Sequence, residues 1–231
     1  MIHQLIFAAP KPGMSEAEFQ NYWLNVHAVQ YASKIPQIRR YMIDTRIPFG
    51  PDEGDPKWSG VAEIWLANEE EQLASLQTKE FLDGARLDEP RWAAFWRTVV
   101  LDTDAHVIRE GPTLTADPTW VKLILLVKRK EGLPLREFRD RSLGKHAELM
   151  QEVPGVRRYL QGHARDALYG IGEAVLDAAY QIWFDDEAAL SAALDSPEFR
   201  RAMEDLEAFV EPRYLHRMVT REHWVIGPES R

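Results

Sequence analysis

The chain has 231 residues, 45% of them hydrophobic, and a formal net charge of -9 at pH 7. With no cysteine, it excludes disulfides, thiolate nucleophiles, iron–sulfur clusters and cysteine-based zinc sites. Basic residues scattered among more numerous acids argue against a nucleic-acid partner.

Strand Ile2–Ala8 comes first, bounded by Pro10, Pro12 and Gly13. The segment MIHQLIFAAPKPG has no basic region and too short an apolar run for a secretion signal. No apolar stretch is long enough to span a membrane, so a cytoplasmic location is expected. Ser15 and Glu18 form a capping box, and the helix they open should run over Glu16–Ser33, stopping before Pro36. Strand Gln37–Ile47 follows, then a loop with Pro48, Gly50, Pro51, Gly54 and Pro56, then strand Trp58–Leu66. A helical region from Asn68 to Trp96 is broken near Gly84 and Pro90, and strand Thr98–Arg109 ends the series.

The series then repeats. Strand Trp120–Lys128, helix Leu135–Glu152, strands Val156–Arg165 and Ala174–Phe184, helices over Glu187–Val210 and strand Tyr214–Ile226 keep the same order. Residues match as well as elements. FQNYWLNVHA at Phe19–Ala28 returns as FRDRSLGKHA at Phe138–Ala147, and IPQIRRYM at Ile35–Met42 as VPGVRRYL at Val153–Leu160. EIWLANEE at Glu63–Glu70 returns as QIWFDDEA at Gln181–Ala188, and the offset stays at 118 or 119 throughout. A period this long implies duplicated domain-sized units, expected at 1–111 and 119–228 with a linker at Gly111–Pro118.

Each copy reads β-α-β-β-α-β, the split ferredoxin-like pattern. Such a unit has a four-stranded antiparallel sheet with helices on one face, and the covalently attached second copy is expected to cover the other face. The fold class is therefore α+β, with two ferredoxin-like repeats forming an intramolecular pseudo-dimer; pairing of two chains into a homodimer is left open.

Phe19, Trp23 and His27 share one helical stripe, as do Phe138, Ser142 and His146. A histidine ending an apolar stripe is desolvated, which favours the neutral imidazole and suits a general acid/base; a core histidine bonded to backbone would share the pattern. Tyr41 and Tyr159 follow paired arginines and could donate to a substrate oxygen or seal an interface. Glu63 shares a strand face with Trp65, making it a candidate base or an orienter of His27, whereas copy two has Gln181 before Trp183. Copy one keeps more reactive groups and is the better candidate for an active site. Phe19, Trp23, Trp65, Tyr159 and Trp183 are the candidate substrate-binding residues. The histidines His3, His106, His163, His216 and His223 form no compact ligand pattern, so no metal and no cofactor is expected. Gly170 and Gly172 lack the context of a dinucleotide fingerprint and read as a turn.

The motifs FxxYWxxxHA, PxxRRY and EIW with its acidic helix start resemble the EthD-like family of dimeric α/β-barrel proteins, over about nine-tenths of the chain. The resemblance implies a ligand cavity between each sheet and its own helices, and places His27 and His146 at the family's helix histidine. Trp23 matches the family pattern; Ser142 departs from it and puts activity of copy two in question. Relatives act in ether degradation or in aromatic and polyketide metabolism, through chemistries from lyases and isomerases to cofactor-free monooxygenases and haem enzymes. The expected function is a small-molecule enzyme of lyase or isomerase type on an apolar cyclic or aromatic oxygenated compound. Its rivals are a cofactor-free monooxygenase, a haem-binding protein and a non-catalytic carrier of hydrophobic ligands.

Overall fold

The computed structural model describes residues 1–50, 56–116, 118–170 and 172–230; Pro51 and Gly54 of the expected loop lie outside the described residues. In the first repeat the order is β1 (Ile2–Ala8), α1 (Glu16–Tyr22), β2 (Arg40–Arg46), β3 (Gly60–Leu66), α2 (Glu69–Ser75), the short turn α3 (Arg86–Asp88) and β4 (Val99–Arg109). In the second it is β5 (Val121–Val127), α4 (Leu135–Arg141), α5 (Ala147–Gln151), β6 (Arg158–Ala164), β7 (Ala178–Phe184), α6 (Glu187–Leu194), α7 (Pro197–Glu207) and β8 (His216–Ile226). Hydrogen bonding orders the strands β1-β3-β2-β8 in one set and β5-β7-β6-β4 in the other, the α+β class expected of the repeat.

Local chemistry sets these boundaries. The Ser15 N–H donates to Glu18 Oε2 at 2.9 Å and the Glu18 N–H to Ser15 Oγ at 3.2 Å, so the capping box holds the first turn of α1. The helix then widens into π-helical turns over Trp23–Tyr31 and tightens to a 3-10 turn at Ala32–Lys34 before Pro36 ends it. A turn in which the Ile38 N–H donates to Ile35 O delays β2 to Arg40, three residues later than the expected Gln37. Asn68 and Asp186 cap α2 and α6 by accepting from Glu71 and Ala189.

Two compact units result. The first holds residues 1–102, 114–118 and 220–231; the second holds 103–113 and 119–219. In the first, β3 lies antiparallel between β1 and β2, with Gln4 and Tyr41 both in register with Ile64. The end of β8, from Thr220 to Ile226, pairs with β2. In the second unit β7 lies between β5 and β6, and Thr103–Arg109 of β4 pairs with β6. The compact units thus exchange strand ends relative to the sequence copies at 1–111 and 119–228.

Alternation sends Ala62, Ile64 and Leu66 of β3 toward the helices, together with Gln4, Ile6 and Ala8 of β1 and Tyr41 of β2. Phe19, Trp23, Ala28, Ala32 and Trp92 pack onto that face and form the core of the unit. No helix among the described residues is long and apolar enough to cross a membrane.

Candidate active site

The core of the first unit is not completely filled. A cavity of about 520 Å³ lies between its sheet and its helices. Its walls are mainly apolar (Trp23, Ile35, Ile64, Phe81 and Trp92 among them), with His27, Tyr41, Gln4, Ser75, Glu89 and Thr98 as polar lining. Size and character fit a small-molecule site.

His27 sits in the π-helical stretch of the first helix, a kind of irregularity often found where a side chain must be displaced toward a functional position. It is 6% exposed, and its Nδ1 lies 2.9 Å from Asp88 Oδ2. A buried carboxylate can only accept, so Nδ1 carries the proton and Nε2 keeps the lone pair. The Tyr22 hydroxyl donates to the other Asp88 oxygen at 2.8 Å, and Arg91 stands 3.5 Å from it. Burial pulls the imidazole pKa below its usual value, and the Asp88 bond opposes that pull without cancelling it. The ring is therefore a neutral base held in one tautomer.

Tyr41 is fully enclosed, which pushes its phenol well above the usual range. The Trp23 side chain partly opposes that rise, and the neutral phenol keeps its proton to donate. Trp23 reaches this position because residue 60 is glycine: a Cβ there would lie 3.1 Å from the Trp23 ring and 2.7 Å from Asp44 O. The second repeat has Ala178 at this place and Ser142 instead of the tryptophan.

The remaining candidates fall elsewhere. Phe19 is fully buried behind the wall, with its ring centroid 5.3 Å from Trp23 and 5.2 Å from Trp92. Glu63 does not orient His27. It lies on the sheet face opposite Tyr41, where its Oε2 bonds His3 Nε2 at 2.7 Å. Trp65 shares that opposite face, stacked on His3 at 4.6 Å, and so is not a cavity wall. The orienting carboxylate is Asp88, which sequence reasoning missed.

In the second unit a buried polar network stands at the corresponding residues. Ser142 Oγ lies 2.5 Å from Tyr180 OH, and donates to Gln161 Oε1 at 2.7 Å. Gln161 Nε2 donates to Tyr159 OH at 2.6 Å and to Ser142 O at 3.0 Å, and His163 Nε2 is 2.9 Å from Gln161 Oε1. Tyr159, expected to bind substrate, is thus part of a buried network. Trp183 is buried beneath Lys122 and Arg158. His146 is fully buried, and its Nδ1 stands 3.7 Å from Asp205 Oδ2, beyond hydrogen-bond reach. Arg141 and Lys145 each hold Asp205 Oδ1 at 2.8 Å instead. Burial lowers the His146 pKa to about 4. Among the described residues no cluster of three or more histidines and carboxylates is placed to hold a metal ion.

Solved structures share this architecture. An anthrone oxidase-like protein superposes with a TM-score of 0.65 over 96% of this chain and 92% of its own, at 11% identity. A candidate monooxygenase from Fusobacterium nucleatum gives 0.62 at 10% identity, over 98% of this chain and 95% of its own. Another from Lactobacillus acidophilus gives 0.58 at 11% identity, over 100% and 97%. At such identities the likeness concerns the fold alone. Among curated proteins none matches the chain. The EthD domain matches twice, over residues 11–95 and 130–213, which together span more than half of the sequence. The chain therefore belongs to the EthD domain family and carries that domain as a tandem pair.

Proposed function

We propose that the first repeat is a small-molecule enzyme in which His27 removes a proton beside a carbonyl or hydroxyl group of an apolar cyclic substrate. The observation that carries this reading is the His27–Asp88 pair on the wall of an otherwise apolar cavity. Asp88 fixes the tautomer, so that Nε2 is the accepting atom, and burial keeps the ring neutral near pH 7. As the proton leaves carbon, negative charge grows on the substrate oxygen, and the Tyr41 hydroxyl is the donor placed to meet it. Trp23 and Trp92 enclose the ring system and exclude water. Elimination, cyclisation or bond cleavage from the resulting enolate gives a lyase or isomerase outcome.

A second reading shares the first step. Fold relatives described as an anthrone oxidase-like protein and candidate monooxygenases favour an oxygenase in which the enolate reacts directly with dioxygen. Proton abstraction can be followed without knowing the natural substrate. In deuterium oxide the wild-type protein should accelerate exchange of the acidic ring protons of 2-tetralone, read by proton NMR, and His27→Ala should reduce that exchange by about 10²-fold or more. Equal exchange in the two proteins would remove His27 from the chemistry. Oxygen uptake during turnover separates the oxygenase from the lyase.

A further inference from the structure

Glu89 is a carboxyl group that the proton abstraction above leaves unused. Asp88 and Glu89 are consecutive at the end of α3, and the helical turn sends them to different places. Asp88 is buried against Tyr22 and His27, while Glu89 is half-buried and lines the cavity. Three of the other polar lining groups are partly committed: Gln4 Nε2 donates to Asp102 at 2.8 Å, Ser75 Oγ donates to Gln72 O at 2.6 Å, and His27 Nδ1 faces Asp88. Thr98 also lines the cavity, and the buried Trp92 Nε1 has no partner among the described residues. The Glu89 carboxyl has no hydrogen bond or ion pair among the described residues, although its backbone carbonyl accepts from Trp92 and Ala93.

The second repeat supplies the contrast. Asp88 corresponds to Asp205, so Glu89 corresponds to Leu206, which is fully buried in the second unit. Beside the buried polar network the position is hydrocarbon; on the cavity wall it carries a carboxyl.

We infer that Glu89 anchors a hydroxyl group of the ligand, so that the substrate is an apolar ring system bearing a hydroxyl as well as the oxygen that meets Tyr41. This rests on the reading of the cavity as a small-molecule site. Apolar walls disfavour the charged carboxylate and raise the Glu89 pKa, which favours a neutral hydrogen-bonding partner over an ammonium ion. A hydroxyl can donate to this carboxyl or accept from it, and so satisfies it in either protonation state.

Equilibrium dialysis of naphthalene, 2-naphthol, 2-methoxynaphthalene and 2-naphthylmethylammonium tests the assignment. Wild-type protein should bind 2-naphthol about tenfold tighter than 2-methoxynaphthalene, the worth of one hydrogen bond in a desolvated site. Glu89→Leu should abolish that preference while holding naphthalene within about twofold, which also reports an intact cavity; Glu89→Gln, which can still accept, should keep part of it. His27→Ala should leave the preference unchanged. Persistence of the preference in Glu89→Leu, or tightest binding of the ammonium probe, would overturn the inference. If the preference depends on Glu89 while 2-tetralone exchange is indifferent to His27, the anchor stands and the catalytic reading falls. If no probe binds the wild-type protein, the cavity is not a ligand site and both fall together.

Discussion

The two repeats show how one scaffold is opened or closed by a few side chains. Ala62 faces the cavity in the first unit, and Tyr180 stands at the matching position in the second. Ile43 is replaced by Gln161 and Trp23 by Ser142. The serine bonds the tyrosine hydroxyl and the glutamine bonds the serine and Tyr159, so a buried polar network stands where the sister repeat lines its cavity. The histidine–aspartate pair diverges in step. Tyr22 and Val26, neighbours of the pair in the open unit, become Arg141 and Lys145, and these cations hold Asp205 beyond hydrogen-bond reach of His146. Space and electrostatics therefore differ together between the two repeats.

The sharpest way to break this comparison is to remove the two histidines separately. His27→Ala should lower turnover by roughly 10²–10⁴-fold, the worth of a general base, while His146→Ala should leave turnover per folded molecule unchanged. Steady-state kinetics on both variants decides between one active repeat and two. Next in size, Ala62→Tyr should copy the closure of the second repeat into the first. Dialysis of 2-naphthol should then show affinity weakened by about 100-fold, since the added ring occupies the ligand's volume. Retained affinity would mean that the cavity is not where the ligand sits.

Acid should act on the closed repeat in particular. Burial lowers the His146 pKa to about 4 and the His163 pKa to about 3, against the ordinary value of 6.5 in the unfolded chain. Between those values the unfolded chain binds more protons than the native protein, so stability is complete above pH 6.5 and is lost as pH falls toward 4. By pH 5 the loss should be on the order of 2 kcal/mol for each histidine, about 4 kcal/mol together, read as a drop in urea midpoint. Replacing His163 by Gln should flatten that decline. The smallest effect belongs to Tyr180→Phe, which leaves Ser142 with one partner fewer. It should cost about 1 kcal/mol of stability and leave 2-naphthol binding untouched.

Much of the architecture was legible in the chain because two copies spell it. A constant offset of 118 or 119 aligned the strands, the first helices, the paired arginines and His27 with His146. Asp88 escaped for a physical reason. A π-helical turn at Glu80–Ala85 in the first repeat faces the plain α-helix of α7 in the second, and the offset falls to 117 just beyond it. Asp88 and Asp205 then drop out of line, although Phe81 and Phe199 only a few residues earlier still match. Glu63 illustrates a different limit. Strand alternation correctly put Glu63 and Trp65 on one face, where His3 contacts both. Parity cannot tell which face the helices cover, and that was fixed only by the register of Tyr41 with Ile64. Ser142 was visible as a departure from the pattern, but its meaning depended on Tyr180, a residue on a distant strand.

The exchange of strand ends carries a consequence for the history of this chain. Thr220–Ile226, encoded at the far end of the second repeat, hydrogen-bonds β2, the strand that holds Tyr41 beside the cavity. The second copy thus splints the first: deleting it would strip a neighbour from the very strand that presents the phenol. Side chains of the second repeat can change while its last strand keeps this office, but the strand itself cannot be dispensed with.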